Sequence, residues 1–121
     1  MSFDVINYAL NKKMIANVLA PRQWIEPTLL NGWVNNSSSE YPVSYMKDSL
    51  GFVHIRGTVK DGTPNATIFT LPVGYRPAKN VLFVGGWGNS ARPVYIYSNG
   101  DVRCECTDQT SLTINCYFTT Y

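Results

Sequence analysis

The chain has 121 residues, 15% of them charged and 13% aromatic, and its ten basic and eight acidic side chains leave a net charge of +2. That length fits one domain with its own core, and a charge content well under the usual quarter favours a β-rich domain with part of its surface covered by something other than water. The basic residues form no run, so nucleic acid is not an implied partner, and no stretch of about 20 apolar residues is present to span a membrane.

The first predicted element is a helix. Ser2 precedes a pattern in which Phe3, Ile6, Tyr8, Leu10, Met14, Ile15, Val18 and Leu19 fall mostly on one side, with Asp4 early and Lys12-Lys13 late, as the helix dipole favours. Pro21 stops it. Residues 1–20 are therefore assigned to a short α-helix that docks on the rest of the chain or on a neighbouring copy, and residues 21–121 to a β domain. Because Asp4 precedes any apolar run and the lysine pair interrupts the middle, this segment does not have the form of a cleavable signal. The expectation is synthesis in the cytoplasm, with any exit by lysis or inside a larger particle.

From Trp24 onward no other helical period appears. Short β-rich runs alternate with turn clusters: Thr28 to Val34, Val43 to Lys47, Phe52 to Lys60, Thr67 to Leu71, Val81 to Val84, two runs flanking Asn99-Gly100, and Leu112 to Thr119. The segment Gly85-Gly86-Trp87-Gly88-Asn89 reads as a loop. About eight such strands are the pattern of an all-β sandwich or barrel, and an antiparallel sandwich is the fold expected. Along Phe52 to Lys60, Val53, Ile55 and Val59 alternate inward against Phe52, His54, Arg56 and Thr58.

The stretch PVYIYSNGDVRCEC, Pro93 to Cys106, centres on an Asn-Gly hairpin signal. A two-residue loop mixes apolar and charged groups on both faces. A three-residue loop Ser98-Asn99-Gly100 pairs Tyr97 with Asp101, Ile96 with Val102 and Val94 with Cys104. It gathers Val94, Ile96, Val102, Cys104 and Cys106 on one face and Tyr95, Tyr97, Arg103 and Glu105 on the other. Since a one-residue slip turns every side chain over, the separating register is the one predicted. It leaves two tyrosines and Arg103 outside the core, where a subunit contact would explain them.

Signals for chemistry are sparse. His54 is the single histidine and stands mid-strand without a nucleophile elbow or a carboxylate pair, so it reads as structural or interfacial, and no catalytic residue is assigned. Cys104, Cys106 and Cys116 read as core thiols rather than zinc ligands, because zinc knuckles favour turns over a Cys-x-Cys strand. Asp48, Asp61, Asp101 and Asp108 lie in or beside turns without ligand spacing, and neither metal nor cofactor is assigned. Trp87, flanked by glycines, either plugs the end of the domain, packs on a subunit or meets a ligand. In Leu71-Pro72-Val73-Gly74-Tyr75-Arg76-Pro77 the prolines stop sheet pairing and make a rigid corner, which places Tyr75 and Arg76 first for structure and second as ligand contacts.

The segments LLNGWVN, VSYMKDSLGFVHIRGTVKDGT, IFTLPVGYRPAKNVLFVG, VYIYSNGDV and SLTINCYF resemble the β-sandwich domains at the ends of phage tail fibres and baseplate receptor-binding proteins. FDVINYALNKK is similar to an adaptor helix of Bacillus phage structural proteins, and the whole chain resembles small Bacillus prophage lysis-region proteins of the XepA and YomS type. The resemblance implies a non-enzymatic, homo-oligomeric protein of the lysis or tail region acting at the bacterial envelope. It favours a pentamer over a trimer. Phe3, Ile6, Tyr95, Tyr97 and Arg103 are the expected subunit contacts. The alternative reading is a receptor-binding module that takes a cell-wall saccharide or meets a membrane surface through Trp87, Tyr75 and Arg76.

Overall fold

The computed structural model describes residues 23–106 and 111–121. The helix expected over 1–20, with Phe3 and Ile6, lies outside the described residues, as does Asp108. Among the described residues the chain is all-β, with no helix and eight strands: β1 (Val34–Asn35), β2 (Ser44–Lys47), β3 (Phe52–Lys60), β4 (Thr67–Thr70), β5 (Val81–Trp87), β6 (Ser90–Ile96), β7 (Asp101–Cys104) and β8 (Leu112–Thr119). Every pairing between them is antiparallel.

Instead of two separate sheets, the strands form one hydrogen-bonded sheet in the order β1-β3-β8-β5-β6-β7-β4, with β2 also on β3. β1 and β2 share one edge of β3, the first opposite Val59 and Lys60 and the second opposite Val53 to Arg56. The long pairings are β3 with β8 and β5 with β6. β8 meets β5 only at Thr113 and Gly86, so one short seam joins the two halves. The sheet curls about that seam and encloses its core. Val53, Ile55 and Val59 from β3 and Leu112, Ile114, Cys116 and Phe118 from β8 pack into a single buried cluster with Ile68 and Phe69 from β4, Val94 and Ile96 from β6, and Val102 and Cys104 from β7. Each fully buried aliphatic or phenyl side chain stabilises such a core by roughly 1.5–3 kcal/mol over leaving it exposed.

Glycine explains the seam. A Cβ at Gly85 would lie 2.7 Å from the Thr113 carbonyl oxygen, and one at Gly86 would lie 2.5 Å from that of Ser90. Gly85 to Trp87, expected in a loop, thus belong to β5, and the turn is the pair Gly88-Asn89 between Trp87 and Ser90. These glycines serve close backbone approach rather than loop flexibility. The strand expected over Thr28 to Val34 shrinks to β1, because Asn31 and Gly32 turn the chain with φ of 55° and 81°.

The β6–β7 hairpin has the three-residue loop and register read from its sequence. Ile96 pairs with Val102 and Val94 with Cys104, the Tyr97 amide donates to the Asp101 carbonyl at 2.9 Å, and the Gly100 amide donates to the Tyr97 carbonyl at 2.8 Å. Gly100 takes φ of 97°, and its carbonyl accepts from the Leu71 amide, which ties the turn to the end of β4.

Candidate functional site

Two surface features stand out on this frame, lined by different residues. The first is a groove beside Trp87. β5 delivers Trp87 to its turn, and the Gly86–Thr113 seam sets the indole against β8 with 41% of its surface exposed. On the facing wall Tyr41 is 63% exposed and is anchored by its carbonyl, which accepts from the Thr58 amide of β3 at 3.1 Å. A cavity of about 510 Å³ lies between them, lined also by Glu40, Arg56, Thr58 and Asn115. Thr58 is buried and shares a 2.9 Å hydroxyl hydrogen bond with Thr113 across β3 and β8, which fastens the floor. A second concavity, bounded by Gly85 to Ala91 and Thr113, shares Trp87 and Thr113 with the first.

Arg56 and Glu40 supply the charges of this groove. The Arg56 guanidinium carbon sits 3.9 Å from the Trp24 ring centroid and 4.0 Å from that of Tyr41, so the planar group is clamped between two aromatic faces. Trp24 reaches this place because Ile25 bridges Tyr45 of β2 through paired backbone bonds of 2.8 and 2.9 Å. Among the described residues Arg56 Nε is buried with no hydrogen-bond acceptor. Glu40 is held differently: Ser37, Ser39 and Asn36 all donate to its Oε2. These bonds, that of the Ser37 hydroxyl foremost, hold its carboxyl below the usual value.

The second feature is the outer face of β5, β6 and β7. Leu82 and Val84 of β5 are 55% and 74% exposed, and they pair in register with Tyr95 and Pro93 of β6. Tyr95 and Tyr97 stack at 6.0 Å, and Arg103 lies over Tyr97 at 5.5 Å while its Nε donates to Thr67 Oγ1 at 3.0 Å. Both tyrosines are thereby half-buried within the chain. Tyr95, Tyr97 and Arg103 therefore do share one face, and Leu82 and Val84 extend it.

Tyr75 and Arg76 are not brought to Trp87. The Tyr75 ring packs edge-on against Tyr45 at 5.1 Å, and Arg76 Nε donates to the Leu71 carbonyl at 2.8 Å beside Gly100. Gly100 follows the far end of β6 from the Trp87 turn, so a seven-residue strand, roughly 24 Å, separates them. His54 is engaged in its own strand neighbourhood: its Nε2 lies 2.8 Å from Asp48 Oδ2, and its ring stacks on Tyr117 at 5.9 Å. Asp48 also accepts from the amides of Leu50 and Phe52. Desolvation raises the Asp48 carboxyl, but the bonds from His54 and the two amides outweigh it, and the net shift is downward.

All three cysteines are buried free thiols, and desolvation pushes Cys116 up to about 12. Among the described residues no group of three or more His, Cys, Asp or Glu is placed to share a metal ion, and no helix is long and apolar enough to cross a membrane.

Fold and surface together define an antiparallel all-β domain that presents one mixed aromatic and polar groove and one apolar sheet face. No protein-family model and no curated protein matches the chain.

Proposed function

We propose that this chain is a non-enzymatic, homo-oligomeric protein of phage or prophage origin, of the lysis or tail region, that acts at the bacterial cell envelope. The observation that carries the reading is the outer face of β5 to β7, where Leu82 and Val84 lie open beside the stacked Tyr95 and Tyr97. Contiguous apolar surface of this kind on a soluble domain marks an interaction site. A second copy of the chain is its occupant, through Tyr95, Tyr97, Arg103, Leu82 and Val84. Contacts between unlike patches repeated around an axis close a ring, with the pentamer favoured by resemblance and the trimer the other closure. Mass measurement of the full chain at micromolar concentration tests this: a closed oligomer is expected, and a monomer rejects it.

A second reading, a receptor-binding module for a cell-wall saccharide, is favoured by the groove beside Trp87, where an exposed indole, an exposed tyrosine and several polar side chains converge. Its test is retention on purified cell walls, with the full chain expected to bind and complete absence of binding removing the reading.

A further inference from the structure

The groove between Trp87 and Tyr41 holds one cation and one anion that do not neutralise each other. Arg56 and Glu40 both line it, and among the described residues no ion pair joins them. Each is instead fixed by its own surroundings, Arg56 by two rings and Glu40 by three side-chain donors. Such fixing is what a recognition site needs, since little rotamer freedom is then lost on binding.

The donor and acceptor inventory of the groove selects its ligand. A guanidinium only donates and an ionised carboxylate only accepts, whereas a hydroxyl does both. Adjacent hydroxyls on one ring can therefore accept from Arg56 and donate to Glu40 without bringing a charge that either residue would repel. A phosphate or carboxylate placed on Arg56 would instead share the groove with the Glu40 charge. Asn115, opposite Arg56 in the β3–β8 register, adds an amide that both donates and accepts. Beside these polar groups the Trp87 indole offers a flat apolar surface, suited to the C–H face of a pyranose ring. The volume, about 510 Å³, falls within the usual range of small-molecule sites.

We infer that this groove takes a neutral saccharide, with adjacent ring hydroxyls bridging Arg56 and Glu40 and the sugar ring lying on Trp87. The inference rests on the receptor-binding reading and names its ligand class and contacts. Arg56 is the specificity residue, because the aromatic clamp fits a planar guanidinium and not a lysine ammonium.

Titration calorimetry of the full chain with glucose and N-acetylglucosamine oligomers, and with oligogalacturonate and a glycerol-phosphate polymer as anionic probes, tests it alongside retention on purified cell walls. A neutral oligomer is expected to bind with little salt dependence, and Trp87→Ala and Arg56→Lys are each expected to weaken it about tenfold or more. Glu40→Gln changes a half-buried loop residue outside the hydrophobic core and keeps its size; thermal unfolding of all three variants separates lost contacts from lost structure. Neutral binding that is unchanged in folded Trp87→Ala and Glu40→Gln overturns the groove assignment. Binding confined to the anionic probes, falling with salt, overturns the neutral class. Retention on walls that no neutral oligomer competes for also overturns the inference while leaving the receptor-binding reading intact. No binding to walls or to any probe removes both.

Discussion

At the scale of single residues, Gly100 carries the largest local demand. Its φ of 97° is in the left-handed region, and a Cβ there would stand 2.4 Å from the Leu71 carbonyl oxygen. Strain and clash together set the expected cost of Gly100→Ala at about 2–4 kcal/mol, read from denaturant unfolding. An unchanged midpoint would mean that the turn relaxes freely. Asp48 makes a different, pH-dependent contribution. Its folded carboxyl titrates below the ordinary 3.8, so the stability it contributes is fully present above that value and is lost as pH falls through the lower, folded one. The stability gap between the wild type and Asp48→Asn should therefore close as pH falls below about 4; a gap that persists undiminished into stronger acid contradicts the assignment.

Among the elements, the β6–β7 hairpin was fully legible in its sequence. One register alone puts Val94, Ile96, Val102 and Cys104 on a common face, and burial of that face in the core enforces it. β5 was not legible to its end. Gly-Gly-Trp-Gly-Asn has the composition of a loop, yet its first three residues pair with Ser90 to Arg92 of β6, and Gly86 also meets Thr113 of β8, a backbone from another part of the chain. Local propensity cannot register a neighbour some 27 positions away in sequence. The seam makes the expectation for Gly85→Val specific. Its side chain would press on Thr113, Val94 and Leu112, separating the halves of the sheet and destabilising the fold by about 3 kcal/mol or more. Hydrogen exchange should show the loss first at the amides of β5 and β8, and protection there equal to the wild type would count against a tight seam.

For the whole molecule, the apolar face and the groove are lined by different residues, so assembly and recognition can be broken separately. Val84→Asp places a charge in the middle of the apolar face without entering the core, where Val84 has no part. The expected result is a folded chain of lower mass in solution, with saccharide binding in the isolated subunit retained. An oligomer unaffected by Val84→Asp and by Leu82→Asp would place the subunit contact elsewhere. The candidate groove itself was half visible beforehand. Trp87 drew notice by its glycine neighbours, but Arg56 read only as an outward strand residue, and Trp24, Tyr41 and Glu40 carried no signal. They converge because Ile25 bridges β2 and the Tyr41 carbonyl is bonded to β3.

What the amino-acid sequence determined by itself was whatever depends on neighbours along the chain: the strand alternation of Phe52 to Lys60, the hairpin register at Asn99-Gly100, the buried thiol face and the break in sheet pairing at Leu71 to Pro77. Those follow from side-chain period and turn stereochemistry, which are local. Only the tertiary structure decided that the strands form one curled sheet, that Gly85 and Gly86 are a seam, that Tyr75 and Arg76 brace a corner far from Trp87, and that Arg56 lies clamped between Trp24 and Tyr41. These depend on which strand edges meet when the core closes. That choice is made by burial summed over the whole chain rather than by any short stretch of it.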